Sequence, residues 1–295
     1  MKHKYFIMMP VAALVLLTAC GGGNNNTKTE IHGADSNRLT VIDQSVDTFY
    51  QVPAPSETFS YIKVAGGLTA KKSNMLYSMA DFTQANNKQL ALGLGIYSAD
   101  LSYSSVAGLG AEALKYFKIV NQLTESLKIS AAVKPGMAQS YKRNQKNADS
   151  LTILTNDIYL SASEILENTQ QNPTRALIAA AGWVESLYIL TNLTAYKANN
   201  DVVEHIADQK YTLENLLGLL HTYESNADVA SLIPQLTELQ AEFNKLMVTE
   251  LPTQTKNNKG ITLLSGGNDL LINAENFKAI TEKIKAIRNA YILTQ

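Results

Sequence analysis

Apolar residues recur every three or four positions from about Leu39 to Glu250, and this spacing predicts α-helices punctuated by glycine and proline connectors. Pro53 and Pro55 mark an early connector, and Gly66-Gly67 a second. Leu90 to Ala107 is apolar on most faces before Gly108 and Gly110 break it. Glu112 to Leu127 carries Leu114, Phe117, Val120, Leu123 and Leu127 on one stripe, and Pro135-Gly136 ends that unit. A helix is expected from about Ala148 to Asn168, and another from Asn172-Pro173 to about Lys197, with proline in the first turn where its missing N–H is harmless. Asn199-Asn200-Asp201 caps a further helix, and Pro234 starts or kinks the next, which bears Leu236, Leu239, Phe243 and Leu246.

The C-terminal part changes character. Thr249 to Lys259 reads as a polar linker, and Ile261–Leu264 and Leu270–Ile272 read as a small β-hairpin around the glycine turn Ser265–Asp269. A last helix sets Phe277, Ile280, Ile284, Ile287 and Tyr291 on one stripe, with Lys278, Lys283, Lys285 and Arg288 on the other faces, so it should dock on the main body. The expected fold is all-α: an antiparallel helical bundle or short helical solenoid, with a small C-terminal β-hairpin and a docked terminal helix. The 34-residue period of tetratricopeptide repeats is missing.

The N-terminus adds an address. Lys2 and Lys4 precede an apolar stretch, Tyr5 to Leu17, that is too short to span a bilayer and fits an export signal. It ends in Leu17-Thr18-Ala19-Cys20, which resembles the lipobox of bacterial lipoproteins. That resemblance implies cleavage before Cys20, a diacylglyceryl group on its thiol and acylation of the new amine. Two or three acyl chains, at about 0.8 kcal/mol per buried methylene, make a firm anchor. Gly21 in place of aspartate resembles the outer-membrane sorting pattern, so the expected location is the cell envelope, on the periplasm-facing leaflet of the outer membrane. The reading divides the chain into a signal peptide (1–19), a flexible tether rich in glycine and asparagine (20–38), a helical domain (39–250) and a C-terminal hairpin plus helix (251–295).

Composition narrows the function. The chain has 25 basic and 26 acidic residues, and removing Lys2 and Lys4 leaves it more acidic, which argues against nucleic acid as a partner. Cys20 is the single cysteine, so no disulfide or thiolate metal site forms within the chain. The core alone must hold the fold.

Two acids stand out. Asp100 is the only charged residue between Leu90 and Ala111, and Glu185 the only one between Ala176 and Tyr196. Each has a tyrosine three positions on, Tyr103 and Tyr188, which puts acid and phenol on one helix face. A glycine and a bulky residue precede each, Gly95-Ile96 and Gly182-Trp183. A carboxylate in an apolar interior costs several kcal/mol unless it is paired, hydrogen-bonded or protonated, so both acids need partners. They are either structural groups satisfied by a phenol, an amide or a distant cation, or part of a ligand pocket lined by Asp100, Tyr103, Trp183, Glu185 and Tyr188. General acid–base chemistry by the two carboxyls is a third reading.

Other chemistry finds little support. The pairs Asp201/His205 and His221/Glu224 fit solvated helix faces better than metal ligation, no Glu-x-x-His spacing occurs, and no cofactor or metal is expected. Nucleophile-elbow, zincin and phosphate-loop motifs are missing, and Gly93, Gly95 and Gly110 suit close helix packing. A membrane-spanning bundle would carry Asp100 and Glu185 near mid-bilayer at about 2.5–3.5 kcal/mol each, which disfavours it.

The segments Gly95-Ile96-Tyr97-Ser98-Ala99-Asp100-Leu101-Ser102-Tyr103 and Gly182-Trp183-Val184-Glu185-Ser186-Leu187-Tyr188 resemble a group of uncharacterised all-helical lipoproteins of Bacteroides-like bacteria. The resemblance covers most of the mature chain and implies fold and location, with no catalytic residue carried over. The expected role is a lipid-anchored binding or scaffold protein of the envelope, more a partner-binding protein than an enzyme. The alternatives are a small-ligand receptor using the acid and aromatic pocket, and a hydrolase-like enzyme using Asp100 and Glu185.

Overall fold

Asparagine opens several of the long helices, and each does so by accepting backbone N–H groups that the first turn leaves without a partner. In the computed structural model Asn86 caps α2 (Asn87–Val106) with Gln89 closing a capping box, Asn147 caps α5 (Ala148–Asn168) and Asn200 caps α7 (Asp201–Thr222). Proline serves the same end of α1 (Pro55–Val64) and α6 (Asn172–Leu193), where its fixed φ suits the first turn. The structure describes residues 50–68, 82, 84–198, 200–258 and 261–293, leaving side chains 250–268 and 293 aside. The expected signal, lipobox and tether lie outside them.

The remaining elements are α3 (Gly110–Ser126), the short α4 (Met137–Arg143) and α8 (Ala227–Ala230), α9 (Ile233–Phe243), strands β1 (Met247–Asn258) and β2 (Ile261–Leu271), and α10 (Ala274–Leu293). The fold is all-α with a C-terminal hairpin and terminal helix, as the sequence pattern predicts. Pro234 starts α9 and does not kink it.

The core is built on α2 and α6. Every residue from Leu90 to Val106 is buried, and so is every residue from Ala176 to Thr191. α1, α3 and α5 surround α2, while α7 and α10 cover α6, so the two most apolar helices lie against each other at the centre. α6 is long and apolar enough to cross a membrane, but that helix is nearly all buried within the protein.

The central pair runs in the same direction. Asn87 Nδ2 donates to Thr174 Oγ1 at 3.2 Å near the start of both helices, and further along Gly95 abuts Gly182. Two matched segments of the sequence therefore face each other at one crossing. A β-carbon on Gly95 would sit 2.7 Å from Ala181 Cβ and 2.8 Å from Gly182 N, and would strike the carbonyl of Ile178. The same atom on Gly182 would meet nothing nearer than 3.4 Å. The close approach needs glycine on α2 more than on α6.

Buried serines are absorbed locally. Ser102, Ser104 and Ser186 donate to the carbonyls of Ser98, Asp100 and Gly182 four residues back, each at 2.7 Å. Ser105, Thr155 and Tyr141 share a buried chain of hydroxyl contacts at 2.9 and 2.7 Å, which ties α2 to α5 and α4.

The hairpin differs from the sequence reading. The segment from Thr249 expected to be a linker is part of β1, and Ser265–Asp269, expected to be the turn, lies inside β2. Pairing runs from Met247 with Leu271 to Asn258 with Ile261, and an irregularity falls between Leu251 and Gln254, where Pro252 offers no N–H to the ladder. The ladder continues as far as Asn258 and Ile261, beyond the turn expected at Ser265–Asp269. On α10, Phe277, Ile280, Ile284, Ile287 and Tyr291 are all buried, and the helix packs on α6 and α9.

Gly95→Ala should therefore destabilise the protein by about 1–3 kcal/mol through overpacking, and Gly182→Ala by less. Urea unfolding of the two variants checks this. Equal losses would show that the helices part freely at their crossing.

Candidate functional site

Charge is concentrated at one point in the core. Asp100, midway along α2, and Glu185, midway along α6, both have zero solvent exposure. The terminal helix supplies the cation. Arg288 of α10 is 6 % exposed and grips Glu185 with two hydrogen bonds, Nε to Oε2 at 2.8 Å and Nη2 to Oε1 at 3.2 Å. Its guanidinium carbon also lies 4.7 Å from the centroid of the Tyr188 ring, so the cation is stacked as well as paired.

Arg288 overturns one expectation. It does not share the outer faces of α10 with the lysines. It lies four residues after Ile284 and three before Tyr291, at the edge of the buried stripe, and its planar fork reaches Glu185 while its stem stays among apolar neighbours.

Asp100 has a different environment. Neither of its oxygens has a hydrogen-bond partner among the described residues. Burial drives its pKa well above the ordinary carboxylate range, the Glu185 charge adds to that, and Arg288 and Lys115 oppose it. Burial also raises Glu185, while the hydrogen bonds and charge of Arg288 pull it back. Burial works against the Arg288 charge too, but the bonds and charge of Glu185 more than offset it, and its pKa rises. The arrangement is thus an ionised Glu185–Arg288 pair beside a protonated Asp100, which makes the cluster electrically neutral. Tyr116 of α3 lies beside the cluster, and burial raises its phenol, which stays a neutral hydroxyl.

Of the five residues expected to line a pocket, the structure gathers Asp100, Glu185 and Tyr188 around Arg288. Tyr103 packs edge-on against Phe59 of α1, with ring centroids 5.5 Å apart. Trp183 turns toward α7, where its Nε1 donates to Gln209 Oε1 at 2.9 Å, and Gln209 Nε2 lies 3.2 Å from His205 Nε2. His205 stacks on Tyr61 with centroids 4.5 Å apart, and burial lowers its pKa. Arg288 and Gln209 were not foreseen in the sequence. Among the described residues, no group of three or more His, Cys, Asp or Glu side chains is placed to hold a metal ion. His221 and Glu224 form an exposed pair at 2.8 Å.

No family model, curated protein or solved structure matches the chain. The chemistry of the site has to be read from its own geometry. Sealed from solvent and neutralised internally, the cluster can fix α10 in place against α6, and it offers no open face to a substrate.

Two outcomes follow. Arg288→Met leaves the buried Glu185 without its cation, so stability at neutral pH should fall by about 3–5 kcal/mol in urea unfolding, with a smaller loss at acid pH where Glu185 can take up a proton. Asp100→Asn mimics the protonated acid. Because the folded-state pKa of Asp100 is raised, the folded state holds a proton that the unfolded state releases, and stability falls as pH rises above the ordinary aspartate range of about 3.9. The variant should be more stable than the parent at neutral pH and lose that advantage as pH falls through this range. Parallel pH profiles for variant and parent would refute the protonated assignment.

Proposed function

We propose that the protein is a lipid-anchored, non-enzymatic binding or scaffold module of the bacterial cell envelope. The observation that carries this reading is the commitment of Glu185 to Arg288 in a dry core. Hydrolysis by Asp100 and Glu185 requires both carboxyls to meet substrate and water, and full burial of both weighs against it. The acids are instead the inner fastening of a rigid helical body, of the kind that presents a surface or a cleft to a partner.

The anchor is supported by Lys2, Lys4, the apolar stretch to Leu17 and Cys20 after Leu17-Thr18-Ala19. The glycine- and asparagine-rich residues 21–37 would then space the helical body from the lipid surface. The outer membrane, with the body facing the periplasm, is the favoured address because Gly21 and not aspartate follows Cys20.

In a bacterial host the parent chain should incorporate labelled palmitate and sediment with outer-membrane fractions. Cys20→Ala should abolish the label and release the protein from the membrane. A Cys20→Ala chain that still fractionates with membranes would refute the lipid anchor.

A further inference from the structure

An enclosed feature that the charged core does not use is a cleft of about 240 Å³ on the other side of α2. Its walls come from places far apart in the chain: the extended Tyr50–Ala54 segment and Glu57 of α1, Leu94 and Ser98 of α2, the second half of α5, Arg175 with Ile178 of α6, and Leu219 of α7. Most of that surface is apolar. Arg175 is its one cation and Glu57 its one acid. The Arg175 Nε is buried and has no hydrogen-bond partner among the described residues, and Glu167, its ion-pair partner, lies 3.9 Å from Nη1 and is largely exposed to solvent. A screened contact at that distance is weak, and a buried guanidinium N–H without an acceptor is costly.

We propose that this cleft binds a small carboxylate with an apolar body, the carboxylate on Arg175 and the body between Leu94, Ile158, Ala162 and Ile178. The proposal rests on the binding-module reading and deepens it by naming a ligand class. A carboxylate in the cleft pairs with the Arg175 guanidinium that lines it, and its two oxygens match the guanidinium fork. The Tyr159 hydroxyl supplies a second donor: burial and the Glu57 charge push its pKa up to about 12, against Arg175, so it keeps its proton. Glu57 stands at the exposed lip, where its Oε2 accepts the Ala54 N–H at 3.3 Å as part of the α1 cap. Glu57 is exposed and Arg175 half-buried, so the Arg175 end of the cleft is the more enclosed.

Size sets the rest. A cavity of ~150 Å³ holds one benzene ring, so the cleft admits on the order of ten non-hydrogen atoms. A bare sulfate or phosphate would leave the apolar walls empty, and a neutral hydrocarbon would leave Arg175 unsatisfied. Octanoate has the right dimensions and serves as the probe.

Isothermal titration of the complete chain carrying Cys20→Ser, at low ionic strength, with octanoate, octanol and octylammonium tests the proposal. Octanoate should bind, and Arg175→Gln should weaken it by about tenfold or more, the worth of a charge-assisted hydrogen bond. Octanol should bind more weakly than octanoate and respond little to the same change. Arg175→Lys, which keeps the charge but loses the fork, should fall between parent and Arg175→Gln. Ser163→Phe, at a half-buried position on the wall, should remove octanoate binding while the melting temperature stays near that of the parent. Octanoate binding equal to that of octanol, an unchanged Arg175→Gln variant, or tighter binding of octylammonium overturns the proposal. Absent octanoate binding in a chain that is membrane-anchored through Cys20 overturns the ligand class and spares the anchor. A chain that binds octanoate but stays on the membrane without Cys20 does the reverse.

Discussion

Two acids and one guanidinium share a space that water does not reach, and the rest of the molecule is arranged around keeping that space neutral. Removing an ionised carboxylate or guanidinium from water costs several kcal/mol for each ion, and attraction between the two recovers this only when the geometry is good. Glu185 and Arg288 meet that condition with two parallel hydrogen bonds and a stacked tyrosine. A second negative charge beside them would have no counterpart, so Asp100 gives up its charge by holding a proton. The pair is better understood as a registration device than as a source of stability. The isoleucine stripe of α10 could dock on α6 in more than one register, one turn up or down. A shift of one turn would carry Arg288 off Glu185 and leave the buried carboxylate without its cation.

That device depends on how closely α2 and α6 approach. Gly95 lets the backbone of one helix rest on the carbonyl of Ile178 in the other, and the helices run in the same direction from this contact. A few residues further on, Asp100 comes near enough to Glu185 to feel its charge. The likeness between the two segments is therefore functional in the mechanical sense. A glycine permits contact, and an acid soon after it enters the shared interior.

Much of this was legible in the sequence, and the rest was hidden for identifiable reasons. Asp100 and Glu185 could be read as interior because each is the lone charge in some twenty apolar positions, and such a segment has no polar face to turn outward. Arg288 could not be read in the same way. It shares α10 with Lys278, Lys283 and Lys285, and a cation on an amphipathic helix ordinarily faces water; only its spacing from Ile284 and Tyr291 hinted otherwise. Trp183 and Tyr103 were placed with the acids by sequence proximity, but Gln209 and Phe59, contributed by distant helices, drew them elsewhere. β1 escaped notice because its residues show no alternation and Pro252 interrupts them, so its pairing comes from β2 and not from its own pattern.

The same two helices join the fastening to the cleft. On α2, Ser98 faces the cleft and Asp100, two residues later, faces the charged core. On α6, Arg175 and Ile178 line the cleft, Gly182 makes the crossing and Glu185 holds α10. A cleft whose walls are set by a glycine contact and an ion pair cannot easily collapse to fill itself. Binding to such a site avoids most of the ordering cost that a mobile pocket incurs, and a modest number of contacts is then enough for useful affinity. If the cleft binds a ligand as proposed, the buried charge cluster serves it through the rigidity it gives to the opposite face of the same helix.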